Sequence, residues 1–548
     1  MENRVLLAFV LSLLVFVGWG IFLAKVQPPP QKKTVEQRAP FGSTPQLGQE
    51  ALSPQAGQAP GSAGLTAPLP MAPQPPQPQF VGTEEIINVF LGKVTFVLSN
   101  KGATIHNVLL NEYLDDTGTP IDLVQGVPGK KWPLSLVAYN DDQVSQILQN
   151  AYYDVSPKSL ELSETNPTGQ LTMRLRHESG LEVVRDFTFY YEQYLVDVKT
   201  QITAIPLASR NLQYRVLWGP GLGGYTVSKT DYFAFAGATT FVNNERKESP
   251  KDEVPGEVKF SGDLTWTSFQ NKYFAAALIP QKGSKAAVVV NDYDDLYVGL
   301  EMESIQSNAT HEFRIYAGTK QLQILEESGH KLVRLMDYGW FGNKFAFLVK
   351  PLLRTLEYFY GLTGNYGWSI IFLTVIIKLI FSPLTHKSFK SMKGMQKVQP
   401  YVKIIQERNK GDRQKMNQEM MDLYKKHKVN PLGGCLPMLL QIPVFIALYH
   451  ALFFSIELRG APFILWIQDL SVQDPYYITP VFMGATMFIQ QRLSPQMGDP
   501  MQQKIMMMLP IFFTFLFLTF PAGLVLYWTV NNLLTISQQY YIYKIAKD

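Results

Sequence analysis

The chain has 548 residues, enough for several domains, and its net charge of +4 is too small to indicate nucleic-acid binding. It contains one cysteine, Cys435, so no disulfide can form within the chain. The seven histidines are scattered, and no convincing motif of a hydrolase, a nucleotide-binding enzyme or a metal enzyme is found. The sequence therefore predicts a protein that is not an enzyme and has no cofactor or metal site.

The first 79 residues have the pattern of an anchor followed by a tether. Apolar residues run from Val5 to Ala24, which is about the 20 residues that a helix needs to cross the hydrocarbon of a bilayer. No good cleavage site for a signal peptide follows them. Thirteen prolines then fall between Pro28 and Pro78, among many Gln, Ala and Gly residues. We predict a transmembrane signal anchor at 1–26 and a disordered tether at 27–79.

From Phe80 the pattern changes to short alternating apolar runs that are separated by turn residues. More than ten such runs, without regular helices between them, are typical of a large β-sandwich, which we place at residues 80–338. A helical run is expected near its end, from Gln321 to about Met336. Residues 339–362 have apolar side chains at helical spacing and basic side chains on other faces. They predict an amphipathic helix lying in the membrane interface, with a core helix of the β domain as the alternative.

Residues 363–548 are dominated by apolar segments, which predict a helical membrane core. The candidate spans are about 366–385, 432–454, 475–491, 505–520 and 522–541. With the anchor they make six transmembrane helices, five of which form the core. Residues 386–431 carry twelve Lys or Arg against four Asp or Glu, a net charge of +8, and their apolar stripes predict a helical hairpin. The loop at 455–474 has a net charge of −2.

This charge difference predicts the orientation of the chain. Cytoplasmic loops of membrane proteins carry an excess of Lys and Arg, so the basic hairpin and both termini are predicted to be cytoplasmic. The β domain, which lies between the first and second spans, is then extracytoplasmic. The basic face of the hairpin suits anionic lipid headgroups, ribosomal RNA or acidic protein segments.

A lysine, Lys378, lies inside the first core span. Read as a helix, this span has four polar residues on one face: Thr374, Lys378, Ser382 and Thr385. A charge within a membrane span costs several kcal/mol unless it faces protein or water. Lys378 therefore either lines a hydrated groove, together with polar residues of other spans, or extends its side chain towards the cytoplasmic end of its own helix.

Seven segments along residues 365–541 carry a resemblance to a known family. They are Asn365–Ile371, Ser382–Thr385, Asn430–Pro437, Gln441–Phe445, Asp474–Tyr477, Asp499–Ile505 and Phe520–Tyr527. In these segments the chain closely resembles the YidC family of membrane protein insertases. The anchor, the tether and the β domain match the layout of the Gram-negative bacterial members, whose periplasmic domain is a β-supersandwich.

The resemblance implies an inner-membrane insertase and chaperone that moves hydrophobic segments of nascent membrane proteins into the bilayer. Its groove would be positively charged and open to cytoplasm and lipid. The residues expected to line it are Thr374, Lys378, Ser382, Gln441, Phe445, Met483, Tyr527, Trp528 and Asn531. Relatives usually have an arginine where this chain has Lys378. The implied partners are nascent membrane proteins, lipids, the ribosome and the Sec translocon, without DNA or a small-molecule substrate.

Two other classes of protein remain open at this point. Polar residues within membrane spans also mark solute paths, so a transporter or channel with a ligand-capturing β domain is the first alternative. The second is a sugar-binding or sugar-modifying envelope protein, since the β-supersandwich resembles carbohydrate-active folds. That second class needs a catalytic His or a carboxylate pair within residues 80–335, and the sequence identifies neither.

Overall fold

The computed structural model describes residues 82–545, except 116, 128, 205–210, 226–234, 338–342, 410, 428, 430–435 and 495–499. The predicted anchor at 1–26 and tether at 27–79 lie outside the described residues. Residues Pro78–Asp548 form one compact unit, in which a strand-rich part is followed by a helical part.

Strands occupy most of residues 86–319 and form three sheets. The first has the order β4 (Pro120–Asp122), β3 (Thr104–Leu114), β2 (Val94–Ser99), β1 (Ile86–Phe90), β7 (Leu160–Glu161). The second has the order β13 (Glu245–Ser249), β12 (Gly237–Val242), β15 (Leu264–Gln270), β16 (Phe274–Lys282), β19 (Asn308–Thr319), β10 (Leu195–Ala204), β9 (Leu181–Tyr190), β8 (Thr168–Arg176), β6 (Asp154–Ser156). The third has the order β14 (Glu257–Phe260), β17 (Ser284–Asp292), β18 (Asp295–Met302), β11 (Tyr214–Trp218), β5 (Ser135–Ala138).

The alternating sequence pattern explains why these strands share one core. Along β9, every second side chain from Leu181 to Phe189 is buried and the others are half-exposed. Side chains of a strand point alternately to its two faces, so such a strand covers the core with one face. The buried faces of all three sheets contribute to one hydrophobic cluster, which includes Phe96, Phe187 and Trp266.

Two local predictions in this part are wrong. A helix, α1 (Asp142–Asn150), interrupts the strands and begins where the Asp141 carboxylate accepts a hydrogen bond from Val144 N. The helical run expected from Gln321 to Met336 is broken into α2 (Leu322–Glu327) and a 3₁₀ turn at Leu332–Leu335. The break lies at residues 329–331, which all have positive φ angles that a right-handed helix cannot contain.

The helical part consists of longer elements. They are α3 (Ala346–Thr363), α4 (Tyr366–Arg408), α5 (Arg413–Lys426), α6 (Leu436–Phe454), α7 (Ile478–Leu493), α8 (Pro500–Phe517) and α9 (Ala522–Tyr540). Among the described residues, α4 is the one helix that is both long and apolar enough to cross a membrane. Shorter apolar helical stretches are found at Gln441–Phe454 and Met506–Phe517.

Helix α4 joins the apolar segment to the basic one without a break. The sequence pattern placed the boundary of the first span at residue 385, but α4 continues through Pro383 and Pro400 to Arg408. Helix α5 then returns antiparallel to the last turns of α4. The Arg408 guanidinium pairs with the Glu419 carboxylate at 2.7 Å, and the Tyr401 ring stacks on His427. The turn between them ends where Asp412 accepts hydrogen bonds from two backbone N–H groups of α5.

Helix α3 connects the strand-rich part to the helical bundle. The Glu326 carboxylate of α2 pairs with Lys350 at 2.8 Å and with Arg354 at 3.0 Å. An apolar cluster that includes Leu322, Val349 and Ala451 lies beneath these ion pairs and joins α2, α3 and α6. Helix α3 nevertheless leaves large apolar side chains uncovered, since Phe347 is 70% exposed, Tyr358 65% and Leu362 67%.

Candidate functional site: a polar pocket between helices

Lys378 lies about 12 residues into α4, roughly 18 Å along the helix from its first residue. Its ammonium is held by two residues of α9. The Nζ atom donates hydrogen bonds to Thr535 Oγ1 at 2.6 Å and to Asn531 Oδ1 at 3.3 Å. The side chain is therefore directed across to α9, which differs from an extension along its own helix towards the membrane surface.

A small, partly open cavity lies beside this ammonium. Its walls come from α4, α6 and α9, and the residues that line it are Ile377, Lys378, Phe381, Leu384, Thr385, Gln441, Val444 and Asn531. Three of the nine residues expected in the groove, namely Lys378, Gln441 and Asn531, thus meet at one pocket. The apolar side chains among them surround a small polar centre.

A second polar contact between α4 and α9 lies about two turns from Lys378. The Gln538 side-chain amide donates to Thr385 Oγ1 at 2.8 Å and contacts Ser382 Oγ and Ser382 O at 3.4 Å. Ser382, another of the expected groove residues, is therefore engaged with α9 instead of facing the cavity. The polar stripe predicted on α4 is matched by a stripe on α9 that consists of Asn531, Thr535 and Gln538.

Three other expected groove residues are buried among the helices. Met483 belongs to the core of the bundle, and the Thr374 hydroxyl donates to the backbone carbonyl of Ile370. The Tyr527 hydroxyl is buried near the Gln441 side chain but makes no well-formed hydrogen bond with the described residues. The side chains of these three residues do not line the pocket in this conformation.

The last two expected groove residues belong to an aromatic cluster. The Trp528 ring lies edge-on to Phe445, with centroids 4.8 Å apart, and contacts Phe513 and Phe517 of α8 at 6.0 and 5.2 Å. Tilted and edge-to-face aromatic pairs of this kind stabilise packing beyond the area they bury. The cluster joins α6, α8 and α9 on one side of the polar pocket.

A neighbouring face of α9 makes polar contacts with α7. Asn532 donates to Thr486 Oγ1 at 3.1 Å, and the Gln539 amide donates to Ser494 Oγ at 3.1 Å. Helix α9 thus contacts α4 with one polar face and α7 with another. The polar residues of these apolar helices mostly find partners in each other, as residues in a low-dielectric setting must.

The loop at 455–477, which we call the cap loop, covers the end of the bundle where α4 begins. The Asn365 side chain, which caps the start of α4, donates to the carbonyls of Pro462 and Phe463. Backbone hydrogen bonds from Ala522 N to Val472 O and from Gly523 N to Leu470 O attach the loop to the start of α9. This end of the bundle is closed, and the pocket lies towards the other end.

The Asp474 carboxylate organises the cap loop. It is fully buried and accepts hydrogen bonds from Trp466 Nε1 at 3.1 Å, Tyr476 N at 2.9 Å, and both N and Oγ1 of Thr479 at 2.7 Å. Burial alone would raise the pKa of this group, but the donors, those of Thr479 first, outweigh it and hold the pKa below its ordinary value.

The residues expected to line the groove included neither Gln538 nor Thr535. Both were within reach of a spacing argument, because residues 531, 535 and 538 follow one another at four and three positions on α9. The contribution of Thr385 to the pocket was expected from its place on the α4 stripe. Sequence reasoning also missed the donors around Asp474: the Trp466 donor depends on the path of the cap loop, whereas the donors of Tyr476 and Thr479 lie within five residues of Asp474 in sequence.

Two family models match the chain, and together they account for most of its length. The model described as 60Kd inner membrane protein matches residues 358–548, and the model described as YidC periplasmic domain matches residues 87–355. A "Membrane protein insertase YidC" of Geobacter metallireducens is 40% identical to this chain, covering 99% of it and 98% of that relative. A protein of the same name from Geotalea daltonii is 39% identical and covers 99% of both chains.

The solved structures provide a weaker likeness. A crystal structure described as an active YidC insertase with its first transmembrane domain resolved matches with a TM-score of 0.35 and 16% identity, covering 84% of this chain and 93% of that one. A putative aldose 1-epimerase from Escherichia coli matches with a TM-score of 0.25 and 10% identity over 43% of this chain. The family models and the full-length relatives confirm the predicted family. This chain belongs to the YidC family of membrane protein insertases.

Proposed function

We propose that this chain inserts hydrophobic segments of nascent proteins into the inner membrane, and that the pocket beside Lys378 receives the polar flank of such a segment. The observation that carries the proposal is the Lys378 ammonium, held by Thr535 and Asn531 at a partly open cavity within apolar helices. The names of the full-length relatives agree with this activity. The mechanism needs no nucleotide and no bond-making step, so the protein is not an enzyme.

The physical task of an insertase is to lower the cost of moving polar groups into hydrocarbon. An unpaired backbone group or a carboxylate buried there costs several kcal/mol or more. Lys378, Gln441 and Asn531 supply a donor, an amide and an acceptor next to the cavity. A polar flank that exchanges water for these groups leaves water at a lower free-energy cost. Burial of the apolar segment in lipid then drives insertion.

The charge distribution supports a topology with six membrane spans. Residues 386–431 carry the net charge of +8, and in this topology the last turns of α4 and all of α5 lie in the cytoplasm. Both termini are then cytoplasmic, and the strand-rich part lies in the periplasm. The closed end of the bundle faces the periplasm, and the pocket is reached from the cytoplasm and from lipid.

The remaining expected groove residues form the rest of the path. Thr374, Met483 and Tyr527 lie deeper than Lys378, and the aromatic cluster of Phe445 and Trp528 lies beside the pocket. A segment entering between the helices has to displace some of these packed side chains. Ser382 lies nearer the cytoplasmic end, where its bonds to Gln538 have to open as well.

The proposed partners follow from exposed surfaces. The uncovered apolar side chains of α3 suit the membrane interface, while its ion pairs with Glu326 hold it against the strand-rich part. The basic helices suit anionic lipid headgroups and the RNA of a translating ribosome. The Sec translocon is proposed as a further partner from the family resemblance alone.

The proposal is tested by insertion of a purified single-span substrate into liposomes that contain the full chain. Two substrates are compared, one with an acidic N-terminal tail and one with a neutral tail of equal length. A charge pair at 4 Å is worth about 4 kcal/mol at an effective dielectric constant of 20, and part of this is lost to desolvation. Lys378→Ala should therefore slow insertion of the acidic tail about tenfold more than insertion of the neutral tail.

Lys387→Ala is the matched control, because Lys387 lies on the same helix but is exposed outside the pocket. It removes one of the twelve basic residues of the segment 386–431, and it should change the ratio of the two insertion rates much less than Lys378→Ala does. Equal slowing of both tails by Lys378→Ala would contradict an electrostatic role for the pocket. Flux of a small solute through the same liposomes without any substrate protein would favour a channel instead.

A further inference from the structure

The Lys378 ammonium has three N–H donors, and two of them are engaged by α9. Thr535 Oγ1 accepts one at 2.6 Å and Asn531 Oδ1 accepts another at 3.3 Å. Among the described residues these are the hydrogen-bond acceptors of this group. One donor therefore remains for the cavity that Lys378 lines.

The Thr535 hydroxyl is itself fixed. It donates its single hydrogen to the backbone carbonyl of Asn531 at 2.6 Å, one helical turn earlier. The hydroxyl hydrogen is thus committed to α9, and the oxygen lone pairs are presented to Lys378. A threonine bonded in this way acts as an acceptor for the ammonium, and it cannot easily rotate to serve as a donor to something else.

The backbone positions of the two helices are fixed next to this contact. Gln538 joins α9 to Thr385 and Ser382 of α4, one turn beyond Thr535. A lysine side chain has four rotatable bonds and otherwise samples many positions. Two acceptors on a helix that is held at a set distance confine the ammonium to one place.

We propose that Thr535 and Asn531 are positioning residues that hold the Lys378 ammonium so that one N–H points to the substrate. The site then takes a single oxygen acceptor at a time, such as one carboxylate oxygen of an acidic flank. An arginine at this position would present a planar fork that binds two oxygens. This inference rests on the proposed function and assigns the discrimination between acidic and neutral flanks to α9 as well as to Lys378.

The test uses the full chain in liposomes and the ratio of the acidic-tail to the neutral-tail insertion rate. Thr535→Val keeps the side-chain shape but removes the acceptor, and it should lower this ratio about fivefold. Thr535→Ser keeps the hydroxyl and should restore the ratio to within about twofold of the original. Thr529→Val is the control, because Thr529 is also buried on α9 and bonded to the carbonyl four residues earlier, but it does not contact Lys378.

A purely structural role for Thr535 predicts a different result. Thr535→Val would then slow both tails equally, as Thr529→Val would if it loosened the helix, and the ratio would not move. The proposal is also overturned if Thr535→Val still lowers the ratio in the Lys378→Ala background, because the effect must act through the ammonium. If Lys378→Ala changes the ratio and Thr535→Val does not, only this inference fails, and the proposed function stands.

Discussion

Asp474 is the residue of the cap loop whose removal should have the largest effect on stability. Its carboxylate is fully buried and accepts four hydrogen bonds of 2.7–3.1 Å from three residues. A hydrogen bond to a charged group contributes about 1.5–3 kcal/mol, and the four contributions do not add fully because the donors share one acceptor. We expect Asp474→Ala to lower the stability of the helical bundle by about 3–5 kcal/mol.

The measurement is thermal unfolding of the purified full chain in nanodiscs, followed by tryptophan fluorescence. A loss of this size should lower the unfolding midpoint of the bundle by roughly 10 °C. Asp469→Ala is the matched control, because Asp469 lies in the same loop and accepts one hydrogen bond, from Ser471 N at 2.7 Å. It should cost about 1 kcal/mol.

The pH dependence gives an independent check of this reasoning. The pKa of Asp474 is held below its ordinary value, so its contribution to stability is complete above the unfolded pKa of 3.8 and is lost as the pH falls through the folded pKa. The difference in midpoint between the original chain and Asp474→Ala should thus be constant from about pH 5 to pH 8 and shrink below about pH 4. A midpoint of Asp474→Ala within about 2 °C of the original at pH 7 would refute the role given to this carboxylate.

Two further predictions concern packing and charge elsewhere in the chain. Glu301→Gln should lower the stability of the strand-rich part by about 1–2 kcal/mol in denaturant unfolding, because Glu301 is buried and paired with Lys259 at 2.5 Å and Arg215 at 3.4 Å. Burial alone would raise the pKa of Glu301, but the hydrogen bond and charge of Lys259 outweigh burial and lower the pKa. The contribution of Glu301 to stability should therefore fade as the pH falls below the unfolded pKa of 4.5. Glu245→Gln is the control, because Glu245 belongs to an exposed ion pair, and it should have no measurable effect. Gly484→Ala should lower the thermal midpoint despite the better helix propensity of Ala, because its Cβ would lie 1.9 Å from Thr514 Oγ1. Gly361→Ala, with no atom within 4 Å of the new Cβ, should leave the midpoint unchanged or raise it, and equal midpoints for these two glycine variants would contradict the packing of α7 on α8.

Local spacing was enough to predict a polar face on α4 and another on α9. The face that holds Lys378 and Thr385 follows from the helical repeat, as does the face that holds Asn531 and Thr535. The pairing of these faces could not be predicted in the same way, because it depends on how α9 packs across α4. The apolar runs indicated where the helices of this part lie, but they did not give the partner of each side chain.

The larger errors came from signals that have two meanings. Pro383 and Pro400 usually mark the end of a helix, and yet α4 passes through both, since tertiary contacts can offset the lost hydrogen bonds. Helix α1 was missed because nine residues give a weak periodic pattern among many strands, although Asp141 is a recognisable cap. The order of the strands in the three sheets depends on contacts far apart in sequence, which alternation alone does not specify.

The central claim is that water reaches the pocket beside Lys378, and thiol labelling in membranes tests it most directly. Both variants are made in a Cys435→Ser background. Gln441→Cys places a thiol at the pocket. Leu379→Cys is the control and places a thiol on the outer face of α4, where the native side chain is 67% exposed. A maleimide that cannot cross membranes reacts with thiolates, which form only where water is present. When the maleimide is added from the cytoplasmic side, it should label Gln441→Cys and leave Leu379→Cys unlabelled. If the thiol of Gln441→Cys is as unreactive as that of Leu379→Cys, water does not reach the pocket and the central claim is contradicted.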